Sequence, residues 1–180
     1  MLETVTVHSW DELQSALFDD SWNEDLGRYR SRFAFRGLSD VTYRLETTLM
    51  RLGGPYPELE RHLLRNFKKY AHGQVVERDS IWHWLSVAQH YGLPTRLLDW
   101  TYSPFIAMHF ATANIEKSSI DGVIWAVNYV KAHQLLPDVL RHKLEHEGAN
   151  VLTVEMLSEV LNSLPELDGL CQDHVAIFFE

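Results

Sequence analysis

The sequence predicts an α+β domain, with a small, mostly antiparallel sheet or pair of sheets flanked by helices. Three observations carry that expectation. Strand-like segments are few, short and far apart, at residues 28–37, 123–127 and 174–179. Segments with helical start and stop chemistry fill the intervals between them. No regular strand–helix–strand alternation runs through the chain, as a doubly wound parallel sheet would require. With 180 residues, 46% of them hydrophobic and 12% aromatic, residues 1–180 are expected to form one domain, with 1–30 as a helical and turn-rich lead-in.

Taken in order, Val5 and Val7 suggest a short strand. Ser9-Trp10-Asp11-Glu12 has capping-box spacing and opens a helix through about Phe18. Residues 28–37 alternate and are rich in aromatics, reading as a strand that ends at Gly37. Residues 41–45 are expected to pair with it as a hairpin through Ser39-Asp40. Glu58 to Ala71 reads as an amphipathic helix, with Leu59, Leu63, Phe67 and Tyr70 on one side. Its Arg61, Arg65, Lys68 and Lys69 lie on the other, and Gly73 is its stop. A helix over Trp82–Ala88 ends at Gly92 and Pro94. Another opens with Ser103 as N-cap and Pro104 at N1, and its Phe105, Ile106, Met108, Phe110 and Ala111 fit a buried helix. Val123 to Val127 reads as a buried strand after an Asp-Gly turn. Residues 130–136 and 138–147 read as short helices or loop, 153–161 as a further helix, and 174–179 as strand-like.

Charge narrows the function classes. The net charge of −9 opposes non-specific binding of DNA. Between Leu26 and His72, however, ten Lys and Arg face four Asp and Glu. A basic patch on an acidic body suits a discrete anion such as a phosphate group. No apolar run approaches the roughly 20 residues of a membrane span, and the N-terminus lacks a signal-peptide pattern. The lone Cys171 cannot form an internal disulfide, so a reducing, cytoplasmic setting is expected.

The densest chemistry lies between the two central helices, at Thr95-Arg96-Leu97-Leu98-Asp99-Trp100-Thr101. Loops held between rigid elements are where binding groups concentrate. Arg36, ending a strand before Gly37, suits recognition of phosphate by a planar fork, while pairing with a carboxylate such as Asp99 is the structural alternative. His90, before Tyr91, is a candidate general base, although a helix C-terminus also favours His through its dipole. Arg96 and Asp99 read as a salt bridge bracing the loop. Thr101 offers a hydroxyl without an obvious base, and Ser103 reads as a cap. His142 and His146 match an H-x-x-E-H pattern, but the run is strongly polar and lacks a third ligand, so no metal is expected. The six Trp, among them Trp84, Trp100 and Trp125, read as core and pocket wall.

FAFRGLSD (33–40), AQHYGLPTRLLDWTYSPFIAMHFA (88–111) and DGVIWAVN (121–128), in that order, resemble the FRG domain family, named for its Phe-Arg-Gly motif. The similarity runs from about Ser31 to the C-terminus. The family pattern continues beyond HVAIFFE, which implies a final strand after residue 180. A weaker similarity joins Phe35-Arg36-Gly37 to the first motif of Arg–Ser–Glu ADP-ribosyltransferases. In those enzymes a Ser-Thr-Ser segment before a helix ending Phe-Ala comes next, and Asp99-Trp100-Thr101 before Phe110-Ala111 is placed similarly. Asp99 and Trp100 depart from that pattern, and the family's glutamate would fall near or beyond the final strand. The resemblance implies an ADP-ribosyltransferase-like enzyme using NAD, with catalytic candidates His90 and Thr101. It would modify an unspecified protein or nucleic-acid acceptor. The alternative is a non-catalytic module for a nucleotide or other phosphorylated small molecule. In either reading Arg36, Gly37, Tyr91, Arg96, Asp99 and Trp100 are the expected binding residues, joined by the positive face of the 58–71 helix. Arg36 and the Arg96–Asp99 segment are expected to share one cleft.

Overall fold

The structure, a computed structural model, describes residues 2–19, 21–71, 80–170 and 176–180. Gly73, Cys171, His174 and Val175 lie outside the described residues. In chain order the elements are α1 (Trp10–Phe18), β1 (Trp22–Asn23), β2 (Arg28–Tyr29), β3 (Phe33–Leu38), α2 (Thr48–Arg51), α3 (Tyr56–Ala71) and α4 (Ile81–His90). Then come α5 (Pro104–Thr112), a 3-10 turn (Ile115–Lys117), β4 (Val123–Asn128), α6 (Tyr129–His133), α7 (Asp138–Glu147), α8 (Val154–Val160) and α9 (Leu164–Leu170). Helices thus accompany two small antiparallel sheets, β1–β2 and β3–β4, and the fold is α+β. No helix among the described residues is long and apolar enough to cross a membrane. The chain divides into two compact units, residues 1–43 with 100–129 and residues 44–99 with 130–180.

In the first unit, Ser9 caps α1 by accepting the Glu12 N–H, while Glu12 returns a bond to the His8 N–H at 2.7 Å. No strand forms at Val5 or Val7. The expected strand over 28–37 is two: β2 turns back on β1 around Gly27 (φ 58°), and β3 starts afresh at Phe33. Residues 41–45 do not form the expected hairpin. β3 pairs instead with β4, from Phe33 opposite Asn128 to Leu38 opposite Val123. The local reason is Asp40, whose carboxylate accepts the Thr42 N–H at 3.0 Å and hydroxyl at 2.6 Å, closing a turn rather than a hairpin. Lys117 donates to the same carboxylate and to the Tyr43 hydroxyl. The Thr42 hydroxyl, then its N–H and Lys117, hold the Asp40 carboxyl at about 2. α5 packs on the β3–β4 pair through Ala107 and Met108, which are buried. Phe105, Ile106 and Phe110 are exposed, so the helix is buried along one face and not all round as expected.

The second unit holds the larger helical core. Leu64, Trp82, Leu85, Ala88, Leu140, Leu152 and Leu157 form its centre, with α3 on α4, α4 on α8 and α7 on α8. The Trp82 indole donates to the Leu161 carbonyl at 2.9 Å, which satisfies its polar edge in the core. α3 is rotated from the sequence reading: Glu60, Leu64 and Ala71 are buried, while Tyr70 is 74% exposed. α2 and α9 were not anticipated, the latter because Pro165 and Gly169 mask a helix that tolerates proline in its first turn. Residues 176–180 make a single parallel bridge, Phe179 to Leu152, in place of a sheet strand. His133, buried, clamps this segment. Its Nε2 accepts the Phe178 N–H at 3.0 Å, so Nδ1 carries the proton donated to the Asn150 carbonyl at 2.9 Å.

Candidate functional site

β3 owes its position to pairing on both edges. Phe35, 2% exposed, exchanges backbone hydrogen bonds with Thr101, N–H to O at 2.7 Å and O to N–H at 2.9 Å. Phe35 therefore turns its backbone polar groups away from β4, and by ladder alternation Arg36 turns its own toward Trp125, its partner in register. Gly37 fixes which face is which. A Cβ there would lie 1.8 Å from the Ala107 carbonyl oxygen and 2.9 Å from the Ala111 nitrogen, so α5 covers this face. Successive strand side chains alternate, which sends Arg36 out on the opposite face. Trp125, directly across the ladder, shares that face with it. The Trp125 indole Nε1 is buried with no hydrogen-bond partner among the described residues.

This unit therefore gathers Arg36, Gly37, Trp100 and Thr101 of the expected residues. The Thr101 Oγ1 accepts the Ser103 N–H at 3.0 Å and makes the turn into α5. Ser103 occupies the N-cap position but makes no side-chain capping bond. No carboxylate or imidazole among the described residues is hydrogen-bonded to the Thr101 hydroxyl.

His90, Tyr91, Arg96 and Asp99 fall in the second unit. α4 ends as its sequence predicts. Gly92 has φ 83°, its N–H reaches the Gln89 carbonyl, and the Leu93 N–H reaches Ala88, a Schellman closure. His90 is exposed at the end of α4, edge-on to the Tyr91 ring at 5.5 Å. Tyr91, 64% exposed, leans on Phe67. The connection that follows is pinned from three sides. Gln89 takes a bond from the buried Thr95 hydroxyl through its amide oxygen and donates to Asp99 through Nε2 at 2.7 Å. Glu60, fully buried on α3, accepts the Arg96 backbone N–H at 2.8 Å and its Nε at 2.5 Å. Asp168 on α9 accepts Arg96 Nη1 at 2.7 Å. Arg96 thus pairs with Glu60 and Asp168 and not with Asp99, as its sequence neighbourhood suggested. Burial pushes the Arg96 pKa down, but the Asp168 hydrogen bond and the Glu60 charge outweigh it, and the net direction is upward.

Three residues here escaped the sequence reading. Glu60 lies on the 60–64–67–71 stripe of α3, a signal that was present, whereas Gln89 and Asp168 gave none. Trp125 was expected as core or pocket wall, and strand register adds its place across from Arg36. The expected basic face of α3 does line a groove, of about 370 Å³, with Arg61, Arg65 and Lys68. Its other walls come from α4 and residues 162–165, not from the 90–99 connection. His142 and His146 are exposed on α7, and no group of three or more His, Cys, Asp or Glu among the described residues is placed to hold a metal ion.

Comparison with known proteins gives a family match over residues 31–119, to the FRG domain. That span holds β3, the pinned connection and α5, and so every expected site residue. Neither the curated proteins nor the solved structures give a match. On the family match, and on the Phe35-Arg36-Gly37 strand that α5 packs against, the chain belongs to the FRG domain family over residues 31–119.

Proposed function

We propose that this FRG domain binds a nucleotide or a related phosphorylated small molecule on the face of β3–β4 that carries Arg36. The observation behind this reading is the Trp125 indole N–H, buried beside Arg36 without an acceptor. A buried donor left unpaired costs about 1–3 kcal/mol, and such groups in folded proteins call for an explanation. The indole N–H is a donor only, and an anionic oxygen held beside the Arg36 cation is the ligand chemistry that would satisfy it.

The enzyme reading is second, with one observation in its favour. Thr101 pairs directly with Phe35, so the segment similar to the Ser-Thr-Ser motif lies beside the strand similar to the first transferase motif. In that reading the ligand is NAD, and Arg36 holds its pyrophosphate as a planar fork.

Calorimetry with NAD, ADP-ribose and AMP on wild type and Arg36→Lys tests the proposal. Loss of one bidentate, charge-assisted contact is worth about 1.5–3 kcal/mol, or roughly ten- to a hundred-fold in affinity. Binding without turnover supports the module, and nicotinamide release from NAD supports the transferase. Equal binding by both proteins, or none by either, overturns the assignment to Arg36.

A further inference from the structure

We infer that the outer face of α5, with the β1–β2 hairpin beside it, is an interface for a second copy of this chain. α5 (PFIAMHFAT) contains no Lys, Arg, Asp or Glu and has apolar residues on every side. A helix of that kind is ordinarily buried all round, whereas a surface helix turns charged and polar residues outward. Here Pro104, Ala107 and Met108 are buried, while Phe105, Ile106 and Phe110 face outward with His109 among them. The apolar surface runs on beyond the helix. Phe105 meets Phe18 with ring centroids 5.3 Å apart, Phe18 meets Tyr29 at 5.8 Å, and Tyr29 meets Trp22 at 5.0 Å. All of these residues lie in the first unit.

Area and charge choose the occupant. Trp22, Tyr29, Phe105, Ile106 and Phe110 are each between 48% and 64% exposed. At about 200 Å² for a large side chain, they offer roughly 550 Å² of surface. Two such patches face to face remove about 1,100 Å² from water before any rim contact, which clears the roughly 1,000 Å² that a specific interface needs. The rim carries both signs, with Glu24 and Asp25 exposed in the hairpin turn and Arg28 and Arg30 exposed just after it. Two-fold pairing sets residue i of one copy against j of the other and j against i, so a rim of mixed sign complements itself. A lipid surface fits less well. Residues 1–27 hold seven Asp and Glu and no Lys or Arg, which repels anionic headgroups, and α5 lacks the basic face of an interfacial helix. Because α5 covers the Gly37 face of β3–β4, this interface lies across the sheet from Arg36 and does not depend on that residue's role.

Sedimentation velocity over a concentration series tests it. The wild-type chain is expected to pass from monomer to dimer in the micromolar range. Phe110→Glu, which two-fold symmetry places in the interface twice, should raise the dimer dissociation constant at least about a hundredfold. Ile106→Lys should do the same with the opposite charge, and both variants should keep the wild-type circular dichroism. Leu135→Glu alters an exposed leucine of the second unit and should leave the dimer unchanged. A chain that stays monomeric up to about 100 μM overturns the inference. So does a dimer that neither Phe110→Glu nor Ile106→Lys weakens. Vesicles of phosphatidylcholine and phosphatidylserine probe the competing occupant. Vesicle binding that Phe110→Glu abolishes, with no dimer in solution, gives the face to a lipid surface and overturns the inference as well.

Discussion

Glu60 holds Arg96 by backbone and side chain at once, one carboxylate oxygen on the Arg96 N–H and the other on its Nε. The Glu60 side chain is wholly buried, and the guanidinium reaches outward to Asp168 on α9. One arginine thus ties α3, the connection after α4 and α9 together. Arg96, expected both to brace the loop and to join the binding residues, is the one that shapes the loop, through Glu60 and not through Asp99.

Removing either half of that pair leaves the other stranded. Arg96→Ala exposes a buried carboxylate to an apolar core, which costs about 3–5 kcal/mol. Asp168 is 41% exposed, so Asp168→Asn should cost no more than about 1 kcal/mol. Urea unfolding of the two variants measures the difference. Equal losses would mean that burial of Glu60 is not what makes the pair matter.

Gly37 gives a sharper steric test. Its missing side chain makes room for the α5 backbone, and neither the Ala107 carbonyl nor the Ala111 nitrogen can swing aside as a flexible side chain would. Gly37→Ala must push α5 off β3, at about 1–3 kcal/mol or more. Gly54 has open space around its Cβ position but φ 74°, so Gly54→Ala costs only backbone strain, of order 1 kcal/mol. The thermal midpoint of Gly37→Ala should fall well below that of Gly54→Ala.

The sequence exposed whatever is written locally. The Gly92 stop, the Ser9 cap, the α5 start at Pro104 and the strand at 123–128 all follow from neighbours within a few residues. What it hid depends on partners far along the chain. β3 looked ready to pair with residues 41–45 because they are adjacent, yet its mate is β4, and Asp40 spends its carboxylate on Thr42 and Lys117. Arg96 looked ready to pair with Asp99, three residues on, yet its mate is Glu60 on another helix. Charge on α3 concealed Glu60, because a carboxylate reads as exposed until its arginine is found. Of the site itself, the Phe-Arg-Gly strand was visible, and Trp125 was visible only as core or pocket wall, because only strand register sets it across from Arg36.

His133 makes stability depend on pH. Burial pushes its pKa below the ordinary 6.5, against a weaker pull upward from the Asn150 carbonyl. Protonated Nε2 could no longer accept the Phe178 N–H. As pH falls the unfolded chain takes up the proton first, so this contribution is complete above about 6.5 and shrinks as pH drops below it. Urea midpoints of wild type and His133→Gln at about pH 7.5 and 5.5 read it directly. The advantage of wild type should narrow at the lower pH. An advantage that is constant or grows would show that the imidazole is not held neutral by its two bonds.

Trp125→Phe separates a ligand contact from a packing contact at the proposed nucleotide face. Phe keeps most of the apolar ring beside Arg36 but removes the indole N–H. If that donor serves only the folded core, its removal takes away an unpaired buried group, and this gain offsets part of the volume lost. Net stability should then change by no more than about 1 kcal/mol. If the donor also meets a phosphate oxygen, one hydrogen bond to a charged group disappears on binding, worth about 1.5–3 kcal/mol or roughly ten- to a hundred-fold in Kd. Calorimetry with AMP and ADP-ribose, paired with urea unfolding, reads both quantities on one variant. Weaker binding with stability nearly kept places the phosphate between Arg36 and Trp125. Undiminished binding by Trp125→Phe, alongside a loss in Arg36→Lys, would leave Arg36 as the anchor and remove Trp125 from the site.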